Sequence, residues 1–392
     1  MDRRRFLNIA LGGACSAAAM PAITPMSFAS APGERRFVAI VLRGAMDGLD
    51  AVQPYGDPFL AGLRRTISVG PQKGALDLDG FFALHPALAP LMPMWAAGEL
   101  GFAQAVSTPY RDKRSHFDGQ EILEAGTGDQ SMPYGVASGW LNRLLPMLPG
   151  ATMQTAFAVG IENMAILNGD ADHASWAPEA RFDVTPQAQD LLRQLYDNDP
   201  PFESAAETAI ALSTANLGEG AMKVSEQKQI ATALASFTAA RLNAETRIAA
   251  FSLNGWDTHH NQIGGIQRAL VQLSDALIVL KRDLGRNWDN TVVMAMTEFG
   301  RTARENGTQG TDHGTGGLMV MAGGAVKGGR VYGDWPGLDE GDLYAGRDLM
   351  PTADVRAYAG VALSGLFGVP VSKVESTIFP GLIMPDPPHI LL

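Results

Sequence analysis

The sequence predicts an α/β fold, a three-layer α/β/α sandwich, and three observations carry that expectation. Short apolar runs at 37–42, 248–253 and 291–297 read as buried strands that end in polar loops. A segment at 264–284 repeats apolar residues at helical spacing between the second and third of these runs. Strand alternating with helix marks a parallel sheet covered on both faces.

The chain opens MDRRRFLNIALGGACSAAAMPAITPMSFASA. Its arginines, its Ala/Gly-rich apolar stretch and the small residues beyond form a targeting segment rather than part of the fold. Arg3 and Arg4, followed by Phe6 and Leu7, are similar to a twin-arginine signal, which engages an export machinery for proteins that fold before crossing the membrane. The stretch from Phe6 to Met20 is shorter than the roughly 20 apolar residues that span a bilayer. Export to the periplasm or beyond is therefore expected, with no stable membrane span after cleavage. Small-x-small sites end at Ala29 and Ala31, and the first is preferred because the second leaves Pro32 at the new terminus. A lipoprotein reading of Cys15 fails on Gly12, where a branched apolar residue belongs. Residues 1–29 are read as leader and 35–392 as the folded domain.

Cys15 is the single cysteine, so the mature chain has neither a disulfide nor a thiol ligand, and any metal is held by His and carboxylate. The leader carries three Arg and one Asp. Without it 27 basic residues face 40 acidic ones, a net charge of −13 against −11 for the whole chain. Phosphate backbones need basic patches, so nucleic acid is excluded as a partner.

RRFVAIVLRGAMDGLD (35–50) reads as a buried strand that breaks at Gly44 into a loop carrying Asp47. HPALAPLMPMWAAGELGFAQAVS (85–107) reads as helix, a stop at Gly98, then strand. Ser115 precedes a helical pattern with Asp118 three residues on, which makes it an N-cap; the same place suits a nucleophile or an anion site. Arg111, Lys113 and Arg114 add positive charge there. About 127–245 is rich in Ala, Gln, Glu and Leu, with Leu191, Leu192, Leu195 and Tyr196 at helical spacing, and reads as a mainly helical insertion. From Ile266, the residues Leu270, Leu273, Leu277 and Leu280 recur at steps of four and three, one face of a helix that crosses between two parallel strands.

In such sheets ligands bind beyond the carboxyl ends of the strands, where Asp47, Ser115, Asp257 and Glu298 all stand. GWDTHH (255–260) offers Asp257, His259 and His260, and TDHGTGG (311–317) offers Asp312 and His313. Imidazole and carboxylate are ordinary ligands of divalent ions. Gly314, Gly316 and Gly317 permit unusual backbone angles or close approach. The plainer readings are helix caps, surface histidines and loop carboxylates bonded to backbone amides. His85, His173 and His389 carry no motif and are read as structural.

LRGAMDGLD, HPALAPL, RSHFDGQ, GWDTHHNQ, TEFGRT and TDHGTGG together resemble, in order and over nearly the whole mature chain, the secreted DUF1501 family. That family is usually placed with the alkaline phosphatase-like superfamily. The resemblance implies that fold, with Asp47 on one metal, Ser115 as nucleophile, and Asp257 with His259 on another metal, joined by His313. His260 is a reserve ligand. Glu298 stands for a carboxylate of an Asp-His pair and Phe299 where its histidine would be, so Asp312 is the replacement ligand. The expected activity is hydrolysis of a phosphate or sulfate ester, on a small molecule or glycan, with zinc, manganese or calcium. Ser115 or water attacks, and Arg114 or Arg301 steadies the developing charge. The alternative is a non-catalytic secreted protein that keeps the fold for binding a glycan, an envelope component or a partner. A redox cofactor protein finds neither thiol ligands nor a dinucleotide fingerprint.

Overall fold

The computed structural model describes residues 33–67, 69–111, 113–127, 138–160, 162–176, 227–384 and 388–392. The leader with its cleavage sites and the Leu191–Tyr196 cluster lie outside them. A nine-stranded sheet forms the centre. In chain order its strands are β1 (Arg36–Arg43), β2 (Leu100–Ser107), β3 (Ala156–Val159), β4 (Ala174–Trp176), β5 (Ile248–Asn254), β6 (Thr291–Thr297), β7 (Gly317–Ala322), β8 (Val331–Tyr332) and β9 (Ala353–Asp354). The helices that matter here are α1 (His116–Ala125), α2 (Gln227–Leu242), α3 (Gln262–Leu284) and α4 (Val355–Phe367). Across the sheet the order is β8-β2-β7-β6-β1-β5-β3-β4, with β9 pairing β2.

β1 lies between β5 and β6 and pairs with both in parallel, with Val38 opposite Ala249 on one side and Val293 on the other. All eight residues of β1 are apolar or buried save its last, as a strand covered on both faces requires. Its side chains alternate between two cores. Val38, Ile40 and Leu42 meet the layer of α2 and α3, while Phe37, Ala39 and Val41 meet α4 and Trp140 on the opposite face. Ile266, Leu270, Leu273, Leu277 and Leu280 of α3 are all essentially buried. At about 1.5–3 kcal/mol for each such side chain, this one face stabilises the fold by on the order of 10 kcal/mol.

Two features depart from the expected architecture. β7 runs antiparallel to β2 and β6, so the sheet is mixed. After β6 the chain makes an excursion at 298–316 and returns along its own path, with Arg301 and His313 bridged antiparallel. That return brings TDHGTGG to the same end of the sheet as TEFGR. The second concerns 127–245. Its described residues include α2, but β3 and β4 also lie there and extend the main sheet next to β5.

Candidate metal centre

The loops after β1, β2 and β5 and the loop that joins β6 to β7 meet at one end of the sheet. Gly44 ends β1 at φ +119°, and a Cβ there would lie 2.7 Å from the Asp257 nitrogen, so only glycine lets the two loops touch. In TDHGTGG the glycines serve close approach rather than unusual angles: a Cβ on Gly314 would lie 2.4 Å from the Arg301 carbonyl carbon.

Three imidazoles and one carboxylate converge there. His259 Nε2 lies 3.0 Å from Asp257 Oδ1, His313 Nε2 lies 3.3 Å from the same oxygen, and the two nitrogens are 3.0 Å apart. A tetrahedral ion with ligands at about 2.0–2.1 Å separates neighbouring donor atoms by roughly 3.3 Å, so this triangle has the right size. His116 Nε2 approaches Asp257 Oδ2 at 3.5 Å, too far for a good hydrogen bond, and is a buried nitrogen without a hydrogen-bond partner among the described residues. Donor atoms of His116, Asp257 and His313 all lie within 4.8 Å of one another, a group able to hold a metal ion.

Each imidazole is fixed from behind. His116 Nδ1 bonds Glu298 Oε1 at 2.7 Å, His259 Nδ1 meets Asp312 Oδ1 at 3.3 Å, and His313 Nδ1 bonds the Arg114 carbonyl at 2.8 Å. All three partners only accept, so Nδ1 carries the hydrogen and Nε2 of a neutral ring presents its lone pair to the centre. Arg114 sits at φ +53°, an uncommon angle for this residue, where its carbonyl is bonded by His313. Three lone pairs facing a carboxylate repel unless protons or a cation lie among them. In the metal-free chain protons do so: the neighbouring Asp257 and Glu298 push His116 up to about 9. Burial raises the Asp257 pKa, but His116, His313 and Arg301 outweigh it and hold this carboxyl far below the usual range. The Asp257 side chain remains 47 % exposed, so the centre opens to solvent.

The other residues singled out in the sequence support this centre from outside it. Asp47 is buried, and Arg64 grips both its oxygens, at 2.7 and 3.1 Å, while Gln262 adds a bond at 2.6 Å. Its carboxylate is thus engaged by arginine rather than turned to the histidines. Glu298 is fully buried and accepts from Gly44, His116 and Gln120 through Oε1, so it orients His116. Asp312 holds His259 and takes a second bond from Asn306 at 3.0 Å. Arg301 is buried and donates to the carbonyls of Gly44, Ala45, Trp256 and Thr311 and to Asp257 at 2.6 Å. It ties three loops together and positions Asp257. Ser115 is the N-cap of α1; its hydroxyl accepts from the Asp118 amide at 3.4 Å. Arg114 faces Asp348 at 3.3 Å. His260 lies beside His259, ring centroids 6.5 Å apart, outside the converging set. Phe299 stacks on His116 at 5.3 Å and touches the His313 ring at 5.1 Å, so it walls the centre where a second ion's histidine was sought.

Sequence reasoning missed His116, which stands in the quoted RSHFDGQ directly after Ser115. A histidine at the first position of a strand-end helix was the available signal. It also missed Arg64 and Gln262, for which no local motif exists.

Residues 89–369 match the family model described as "Protein of unknown function (DUF1501)". No curated protein matches the chain. Among solved structures it is similar to Ps i-CgsB in complex with k-i-k-neocarrahexaose, at 10 % identity and a TM-score of 0.40, over 88 % of this chain and 75 % of that one. It is also similar to the C-terminal periplasmic domain of EcEptC from Escherichia coli in complex with Zn, at 9 % identity and 0.37, over 74 % of each chain. A protein in the alkaline phosphatase superfamily from Vibrio parahaemolyticus matches at 13 % identity and 0.33, over 82 % of this chain and 69 % of that one. No residue role passes from these proteins to this chain.

Proposed function

Because the chain belongs to the DUF1501 family, whose description assigns no activity, we propose from the site itself that it is a metal-dependent hydrolase of a phosphate or sulfate ester. His116, Asp257, His259 and His313 hold one divalent ion. The observation that carries this reading is the shared geometry of the imidazoles: each anchored through Nδ1, each with Nε2 turned to Asp257. Three nitrogens and one carboxylate favour zinc-class ions over calcium, which takes six to eight oxygens. One ion is proposed, since Arg64 already neutralises Asp47 and His116 already occupies Glu298.

A bound ion supplies Lewis acidity toward an ester oxygen. The residues of the chain do the rest. Glu298, Asp312 and the Arg114 carbonyl fix the tautomers, Arg301 fixes Asp257, and Phe299 shields one side of His116 from water. The exposed side of Asp257 leaves an approach for substrate. Arg301 has its donors committed to loop carbonyls and Asp257, so its contribution to charge stabilisation acts through Asp257. Export in the folded state remains part of the proposal, through the leader at 1–29.

The test is elemental analysis of the mature protein, purified without chelator or nickel resin, beside an Asp257→Ala, His313→Ala double variant. About one equivalent of metal, absent from the variant, is expected, followed by turnover of aryl phosphate or sulfate esters. If metal is absent and adding it back restores none, the centre is not a metal site and the reading as a secreted binding protein takes its place.

A further inference from the structure

We propose that the cavity between Asp257 and Arg268 is a second anion subsite, so that the substrate carries another phosphate, sulfate or carboxylate beside the scissile ester. This rests on the reading of the metal centre as an ester site. The cavity has a volume of 530 Å³, shares Asp257 with the centre, and is walled by His260, Asn261, Gly264, Gly265 and Arg268 among others. That is the size of pocket that takes a small organic ligand, typically about 300–1,000 Å³.

Its charge is what points to an anion. Asp257 is the one acid in the lining, and Arg301, His259 and His313 already meet its carboxylate. Arg268 is exposed, and among the described residues its guanidinium has no ion pair or hydrogen-bond partner. Arg114 and Arg347 do not line this cavity, and both face Asp348, at 3.3 and 3.0 Å. Arg268 is therefore the arginine free to meet substrate. Asn261 begins α3 in the left-handed region at φ 44° and its side chain makes no cap, so the positive end of a 23-residue helix adds to the arginine's field.

The experiment is calorimetric titration of the metal-loaded mature protein with methylphosphonate and with propane-1,3-bisphosphonate, neither of which is hydrolysed. The bisphosphonate is expected to bind about tenfold or more tightly, the effect of one charge-assisted contact. Arg268→Ala should bring that ratio to about one, and Arg268→Lys should restore part of it. Equal affinity for the two probes, or a preference that survives Arg268→Ala, overturns the subsite and leaves the ester reading standing. Failure of both probes to bind overturns the ester reading and the subsite with it. Arg268 is exposed, so its replacement does not endanger the fold.

Discussion

Replacing Glu298 by glutamine separates a positioning role from a ligand role. Glu298 Oε1 takes hydrogen bonds from Gly44 N at 2.9 Å, His116 Nδ1 at 2.7 Å and Gln120 Nε2 at 3.1 Å. Glutamine keeps that oxygen. Its amide nitrogen then faces Thr297 Oγ1, which can send its own hydrogen to the Leu42 carbonyl 2.9 Å away and accept the new one. The fold is therefore retained at a modest cost, about 1 kcal/mol for each bond that loses its charge and about 1–3 kcal/mol in all. His116 loses the anion that makes its ring a stronger base. Carboxylates behind metal-binding histidines set about 10–100-fold in affinity, and a loss of that size is expected. Competition against a chelating dye at fixed pH measures it, with urea unfolding of the metal-free protein alongside. Affinity unchanged within about twofold would refute the positioning argument. Complete loss of stoichiometric metal would make Glu298 itself a ligand, as the sequence first indicated.

The metal-free protein should lose stability with rising pH. His116 is pushed up to about 9 from an ordinary value near 6.5, and a raised folded value gives stability that is complete below the unfolded pKa and lost as pH climbs through the folded one. Urea midpoints should fall across that window and flatten when zinc takes the proton's place; a flat profile without metal would count against the geometry. Arg301→Ala strips four carbonyls and Asp257 of a buried donor and should cost about 3–5 kcal/mol, read by thermal unfolding. Reduced turnover at an unchanged Tm would give Arg301 a direct role in charge stabilisation instead. Ser115→Ala removes a long cap bond and should cost only about 0.5 kcal/mol. Turnover should survive, because among the described residues the Ser115 hydroxyl is hydrogen-bonded only to the Asp118 amide; loss of turnover at full metal content would make serine the attacking group.

What could be read in advance followed from periodicity. The runs at 37–42, 248–253 and 291–297 are strands, and the leucines from Ile266 to Leu280 bury one helix face, because a two-sided sheet and a helix against it leave little choice of residue. β3 and β4 were hidden, being four and three residues long in an Ala-rich stretch without alternation. The antiparallel turn of β7 was hidden too, since its apolar run reads the same in either direction. At the site, the sequence located the charged groups at the strand ends but not what lies behind them. Asp47 and Asp257 look alike as strand-end carboxylates; Arg64, seventeen residues from Asp47 and in no motif, makes one a buried ion pair, and three histidines make the other a centre. Ser115 masked His116, because capping explained the start of α1 without it.

α3 has one more consequence, for the journey of the chain rather than its chemistry. Within the span Gln262–Asn290 its most apolar 18 residues have a mean hydropathy of 1.3, and by length and composition it could cross a bilayer. In the finished fold its leucines are locked against β1 and α2, so a membrane never meets them. Threaded through a pore as an unfolded strand, the same segment would be offered naked to lipid and read as a stop signal. Were the chain exported folded, as proposed from its leader, this false address would be sealed inside it.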